Sequence, residues 1–277
     1  SQQHTFHSQF DVKSLDSGDD IIIYEQGGYI YELDPSTGKH EQIEINVQGD
    51  MTQARPRWVD ASAYSLSNAS LSPTGERAVF QFRGEVITVP KEKGTWRNLT
   101  KSSGVADRYP IWSPDGQKVA WFSDESGEYQ LNISGQKGLE EPKTIKLPDP
   151  TFFFEPAWSP NGKYIAYTDT HYRLWYVNTE SGQATHVDTD EYAHPNRTLN
   201  PKWSPDGQWI AYSKRLPSHY HVIKVHNVQT GETYQITDGM ADSIDPVWDE
   251  SGEYIYFLAS TDFGLSSGWL DMSSYDM

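Results

Sequence analysis

Short runs of aromatic and β-branched residues recur along the chain, each just behind a turn rich in proline and glycine. Val119–Phe122, Tyr164–Tyr167, Trp209–Tyr212 and Tyr254–Leu258 are four or five residues long. That length and composition predict strands, and no apolar run has helical spacing. The turns in front of them are copies of one string. Tyr109-Pro110-Ile111-Trp112-Ser113-Pro114-Asp115-Gly116 returns as Glu155-Pro156-Ala157-Trp158-Ser159-Pro160-Asn161-Gly162 and as Asn200-Pro201-Lys202-Trp203-Ser204-Pro205-Asp206-Gly207. Asp245-Pro246-Val247-Trp248-Asp249-Glu250-Ser251-Gly252 is a degenerate copy, and Leu71-Ser72-Pro73-Thr74-Gly75 a weaker, earlier one. The turn prolines 73, 114, 160 and 205 stand 41, 46 and 45 residues apart, and Glu250 takes their place 45 residues further on.

Ser-Pro-Asp-Gly suits a type I turn: proline presets φ, Ser or Asp caps, and glycine takes the left-handed exit. A second glycine turn and strand follow, as in Ser126-Gly127-Glu128-Tyr129-Gln130-Leu131-Asn132-Ile133, and a short polar strand such as Tyr234–Thr237 closes the unit. Three to four short strands in each repeat predict one β-propeller blade per unit. At the N-terminus, Asp20–Glu25 and Tyr29–Leu33 read as strands around Gly27-Gly28. The expected architecture is therefore an all-β propeller of about six four-stranded blades, the alternative being part of a seven-bladed ring. Residues 1–50 form an N-terminal blade, 51–65 break the period as a linker, and 66–277 carry the main repeats.

Composition narrows the chemistry. The 277 residues include ten Trp and seventeen Tyr but no Cys, which excludes disulfide scaffolds, thiolate metal sites and Cys nucleophiles. Against 39 Asp plus Glu stand 22 Lys plus Arg, a formal net charge of −17. So acidic a chain is a poor partner for the polyanions nucleic acid and anionic membrane. No stretch approaches the 18 or so apolar residues of a membrane-spanning helix. The opening Ser1-Gln2-Gln3-His4 is neither a signal peptide nor an initiator Met, which fits a mature form or an excised piece. The absence of Cys suits a prokaryotic periplasm or cytoplasm equally.

Catalytic motifs are absent: no G-x-S-x-G, no phosphate loop, no G-x-G-x-x-G and no H-E-x-x-H. No catalytic residue and no cofactor is expected. The metal candidates are His219 and His221, which would share one face of a strand, but no carboxylate spacing completes a ligand set. Asp188, Asp190 and Glu191, near His186 and His194, lack the calcium-loop pattern and read as a solvated loop. The repeat tryptophans 112, 158, 203 and 248 read as packing between blades.

The W-S-P-D-G turns resemble those of TolB-like and WD40-like propellers. Longer strings are more specific: Leu71–Phe80, Arg83–Pro90, Arg97-Asn98-Leu99-Thr100, Ser123–Tyr129, Tyr256–Asp262 and Asp271-Met272-Ser273-Ser274. Together they resemble the propeller region of tricorn-type serine peptidases, over roughly residues 20 to 274. Members of that family are large enzymes with two propellers, a PDZ domain and separate catalytic domains, assembled into hexamers. The resemblance covers the junction of the two propellers and most of the second, and no catalytic segment. It implies a non-catalytic portion that admits oligopeptides along the propeller channel. Its partners would then be oligopeptides, the catalytic and PDZ domains of a parent protein, and other copies of the chain. The alternative is a TolB-like scaffold that docks a protein on one propeller face. A sugar lyase or hydrolase is disfavoured by the acidic charge and the thin His cluster.

In a propeller the first strand of each blade lines the axis. The residue before each repeat proline then lies near a channel mouth: Tyr109, Glu155, Asn200 and Asp245, with Asn68 in the weaker copy. Arg108, Phe154 and Arg197 are close in sequence. Carboxylates, guanidinium groups and aromatic rings suit the termini and amides of peptides.

Overall fold

A computed structural model describes residues 3–46, 48–50, 52, 55, 57, 59–60, 62, 64, 66–191 and 199–260. Among them there is no α-helix, and every sheet is antiparallel with strands in sequence order. The chain divides into two compact units, Ser1–Val59 and Asp60–Met277.

The first unit is one sheet of β1 (Val12–Gly18), β2 (Ile21–Gln26), β3 (Tyr29–Leu33) and β4 (His40–Gln42). Gly27 and Gly28, at φ 62° and 84°, make the β2–β3 turn, a conformation that favours glycine. Its small core is Tyr24 and Leu33, with Tyr24 stacked on Tyr31 and accepting or donating a 2.9 Å bond with His7 Nε2.

The second unit holds five sheets. Sheet 2 is β5 (Ser67–Leu71), β6 (Arg77–Phe82), β7 (Glu85–Pro90) and β8 (Arg97–Asn98). Sheet 3 is β9 (Arg108–Trp112), β10 (Lys118–Ser123), β11 (Gln130–Gly135) and β12 (Lys143–Ile145). Sheet 4 is β13 (Phe153–Trp158), β14 (Tyr164–Asp169), β15 (Arg173–Asn178) and β16 (Ala184–Thr189). Sheet 5 is β17 (Lys202–Trp203), β18 (Trp209–Arg215), β19 (His221–Asn227) and β20 (Thr233–Gln235). Sheet 6 has β21 (Ser243–Trp248) and β22 (Ile255–Ala259), two strands among the described residues where four were expected.

The repeat turn joins the first and second strand of each sheet. Ser113 Oγ donates to Asp115 Oδ1 at 2.6 Å and accepts from the Lys118 amide at 2.9 Å. Ser159 and Ser204 repeat this in their own turns. The hydroxyl thus satisfies backbone and side-chain groups that the strand ends leave over.

The first strand of each later sheet meets the sheet before it: β9 meets β5, β6 and β7, β13 meets β9, β17 meets β13, and β21 meets β17, β18 and β19. The apolar core lies between them. Val79, Val86 and Leu99 of sheet 2 pack on Trp112, Val119 and Trp121 of sheet 3. Phe122, Leu131 and Ile145 of sheet 3 meet Phe153, Ile165 and Tyr167 of sheet 4. Ala166, Leu174 and Tyr176 of sheet 4 meet Ile210 and Tyr212 of sheet 5. Sheets 3 and 4 each bury one face against the sheet before and the other against the sheet after, so their middle strands are apolar on both faces.

Candidate functional site

The X-Pro pairs 109–110, 155–156 and 245–246 lie in the first strands of their sheets, Asn200-Pro201 just precedes β17, and proline has no amide to give the ladder. Those three first strands carry a β-bulge, as does β5 at Asn68-Ala69 without a proline. Register slips by one residue between Ser67 and Ser70, opposite Ala120–Phe122, between Phe154 and Ala157, and between Ile244 and Val247. Two residues of the first strand there oppose one of the second, and the first of the two turns left-handed. The φ values are 51° at Asn68, 54° at Tyr109, 48° at Glu155 and 53° at Asp245, and Asn200 joins them at 36°. Glycine is the cheapest residue for this conformation, and none of the five is glycine. Tyr and Glu lack even the local bonding that eases Asn and Asp into it.

The candidate mouth residues therefore share one structural role and one tier. Two pairs meet across neighbouring sheets. The Tyr109 and Phe154 rings are edge to face with centroids 6.0 Å apart. Asn200 Nδ2 donates to Asp245 Oδ1 at 2.8 Å. Gln81 joins sheets 2 and 3 at the same level: its Oε1 accepts from Asn68 Nδ2 at 2.7 Å and from the Tyr109 amide at 3.3 Å. The Asp245 amide finds Ser213 Oγ of sheet 5 at 3.2 Å. Glu155 is exposed, and its carboxylate has no ion pair among the described residues. The Arg108 guanidinium lies over Tyr129 and Phe152, 5.7 and 5.9 Å from their centroids. Arg197 lies outside the described residues, as does His194. Gln81 and Ser213 were missed by the sequence reading, because their roles depend on Tyr109 and Asp245 of the next sheet, 28 and 32 residues further on.

His219 and His221 do not share a strand face. The strand begins at His221, and His219 sits before it with φ 65°. His221 is instead half of a carboxylate–imidazole pair: Nδ1 and Asp242 Oδ1 are 2.7 Å apart. On its other ring nitrogen the structure places Arg215 Nε, donating to Nε2 at 3.4 Å, where a serine nucleophile would stand in a catalytic triad. No cluster of three or more His, Asp or Glu side chains that could hold a metal occurs among the described residues.

The reading of Asp188 as part of a solvated loop is corrected. Asp188 lies on β16, paired with Leu174, and is largely buried. It accepts from Tyr212 Oη at 2.8 Å, Lys214 Nζ at 3.2 Å and Lys224 Nζ at 3.0 Å, all from sheet 5. Burial opposes its ionisation, but the hydrogen bonds of Lys224 and Tyr212 and the two ammonium charges prevail and hold the carboxyl below its ordinary range. Leu99, Ile145 and Ile236 occupy the same register position in sheets 2, 3 and 5, so only this joint replaces an apolar contact with charge. Beside it, burial lowers the pKa of His226, whose Nδ1 meets Thr233 Oγ1 at 2.9 Å.

Antiparallel four-stranded sheets in sequence order, meeting through their first strands, are the blades of a β-propeller. The family described as the tricorn protease second beta propeller domain matches residues 66–267, most of the chain, and this protein belongs to it. A tricorn protease homolog of Saccharolobus solfataricus is 26% identical over 268 residues, 94% of this chain and 23% of that protein. The crystal structure of the tricorn protease aligns with a TM-score of 0.57 at 19% identity, covering 92% of this chain and 24% of the other. A putative TolB from Agrobacterium tumefaciens gives 0.52 at 18% identity, covering 84% and 77%. These two structural likenesses establish the fold. The chain spans about a quarter of the first relative's length.

Proposed function

We propose that this chain is a non-catalytic propeller portion of a tricorn-like serine peptidase that admits oligopeptides toward catalytic domains carried elsewhere. The observation that carries the reading is the recurring left-handed, non-glycine residue at the equivalent position of five sheets, Asn68, Tyr109, Glu155, Asn200 and Asp245. Holding such a residue costs about 1–2 kcal/mol of backbone strain, and strain kept at equivalent positions of five sheets argues that the side chains are needed there. Tyr109, Glu155, Asn200 and Asp245, with Phe154 packed beside Tyr109, form the lining that meets peptide amides and amino termini. Arg108 and Arg197 are assigned to the same lining. On this reading the sheet of residues 1–50 is the end of a preceding propeller, 51–65 the linker, and 66–277 the second propeller. Its partners are oligopeptides, the parent's catalytic and PDZ domains, and further copies of the chain.

Glycine tests this cleanly, because it accepts positive φ without strain. Glu155→Gly, which removes an exposed side chain, is expected to keep or raise the melting temperature, Tyr109→Gly and Asp245→Gly to lose the Phe154 contact and the Asn200 hydrogen bond against the strain they relieve, and the three together to weaken calorimetric binding of short oligopeptides at least tenfold. Undiminished binding by the triple variant would remove these residues from the site. An intact protein that binds no peptide at all would favour the scaffold reading, with a protein partner on one propeller face.

A further inference from the structure

The repeat supplies its own controls for how neighbouring sheets join at the turn end. In three joints the repeat tryptophan donates to a carbonyl of the preceding first strand. Trp112 Nε1 reaches Ser70 O at 3.2 Å, Trp203 Nε1 reaches Ala157 O at 2.9 Å, and Trp248 Nε1 reaches Lys202 O at 3.2 Å. The turn glycines of the same joints pack on the preceding turn. A Cβ on Gly116 would lie 3.4 Å from Pro73, one on Gly252 3.7 Å from Pro205, and one on Gly207 2.5 Å from Asn161.

The joint between sheets 3 and 4 breaks both patterns. Trp158 Nε1 donates to Gly162 O of its own turn, at 3.1 Å, rather than to the preceding strand. A Cβ on Gly162 would meet nothing within 4 Å. One residue accounts for the direction of the departure. Where the turns of sheets 3 and 5 carry Asp115 and Asp206, this one carries Asn161, whose Nδ2 donates to Asp206 O and Gly207 O of the next turn, at 3.1 Å each. The sheet 4 turn is tied forward, and a cleft of about 610 Å³ opens behind it.

The lining of that cleft has a definite chemistry. Trp158, Pro114 and Pro160 give it apolar walls. Four carboxylates, Asp115, Glu140, Glu141 and Glu180, face two ammonium groups, Lys118 and Lys143, in the lining, a formal excess of two negative charges. Lys143 Nζ donates to the carbonyls of Thr179 and Glu180, at 2.8 and 2.7 Å, and the charge of Lys118 acts on Asp115. The carboxylates of Glu140, Glu141 and Glu180 make no hydrogen bond or ion pair among the described residues. An indole wall together with this excess of carboxylates complements a flat or elongated cation that has an aliphatic stem.

We propose that the cleft between sheets 3 and 4 is a docking site for an arginine or lysine side chain of an extended peptide segment. The stem lies along Trp158, and the charged head meets Glu140, Glu141 and Glu180. The site is separate from the tier of Tyr109, Glu155, Asn200 and Asp245 and does not depend on the channel reading. A blocked tripeptide, N-acetyl-Gly-Arg-Gly-amide, carries the guanidinium as its only charge, and its citrulline analogue has the same shape without charge. The readout is the Trp158 indole N–H resonance, assigned by its loss in Trp158→Phe. The arginine and lysine peptides are expected to shift it saturably, with the citrulline peptide at least tenfold weaker. The triple substitution Glu140→Gln, Glu141→Gln, Glu180→Gln touches no packed group, so it should fold with an unchanged melting temperature and bind at least tenfold more weakly. An unmoved Trp158 resonance, equal binding of the citrulline peptide, or full affinity in the triple variant would each overturn the proposal.

Discussion

On the side facing sheet 5, sheet 4 is held at several levels. Trp203 stacks on Tyr164 and bonds to Ala157, Asn161 ties the turns, and Asp188 gathers Tyr212, Lys214 and Lys224. On the side facing sheet 3, the aromatic cluster of Phe122, Phe153 and Tyr167 closes one part of the joint, while the turn end stands open behind Trp158. The same repeat string stands on both sides. A tryptophan at the right place in the repeat is thus not enough to close a joint. The carbonyl it needs must also come within reach, and here a one-atom change from carboxylate to amide at position 161 pulls the turn the other way.

The largest effect is expected at the charged part of the tight joint. Asp188→Ala leaves two largely buried ammonium groups without their anion, and breaking such a pair costs about 3–5 kcal/mol. Urea unfolding measures it; a loss below about 1 kcal/mol would show that Asp188 is no keystone. The triple change Asp188→Leu, Lys214→Ser, Lys224→Asn imitates Leu99, Ser123 and Asn132, which hold the equivalent positions between sheets 2 and 3, and should recover most of the loss.

Glycine substitutions compare the two turn ends. Gly162→Ala incurs only the left-handed backbone strain, about 1–2 kcal/mol. Gly207→Ala adds the eviction of Asn161 from its two hydrogen bonds, about 1 kcal/mol each. Equal losses in the two variants would mean that Asn161 ties nothing.

Acid should loosen the tight joint first. The carboxyl of Asp188 has a folded pKa below its unfolded value, so its contribution is whole above about pH 4 and is lost as pH falls through the folded pKa. His226 acts in the same sense: its folded pKa is depressed by burial, so protonation of the unfolded chain below about pH 6.5 erodes stability. Stability followed from pH 7 to pH 3 should fall in both ranges, and His226→Gln should flatten the upper one.

The smallest expected effect separates the tryptophans. Trp203→Phe loses a bond across the joint and should cost about 1 kcal/mol more than Trp158→Phe, whose indole bonds within its own turn. Asn161→Asp, which removes the two amide donors, should narrow that gap by freeing the sheet 4 turn.

Much of the fold was legible in the sequence. The strands after each Ser-Pro-Asp-Gly turn and the pair around Gly27-Gly28 fall where the apolar runs predict them. The positions of Tyr109, Glu155, Asn200 and Asp245 were legible as a set, because they share one offset from one proline. Their left-handed backbone was not, since non-glycine residues before proline give no local signal for it. The burial of Asp188 was misread because the partners that settle it, Lys214 and Lys224, stand on another sheet.

Sequence by itself determined the unit of this protein: its strands, its turns and their spacing, because turn chemistry and strand propensity act within a few residues of the chain. Tertiary structure alone decided how one unit meets the next. Whether an indole finds a carbonyl, whether a glycine touches a proline, and whether a carboxylate is solvated or buried between two lysines depend on atoms of the neighbouring sheet, 26 or more residues away in the chain. Such contacts compete in space, and position 161 shows that a single hydrogen-bonding group can tilt the competition toward one neighbour and open a cleft against the other.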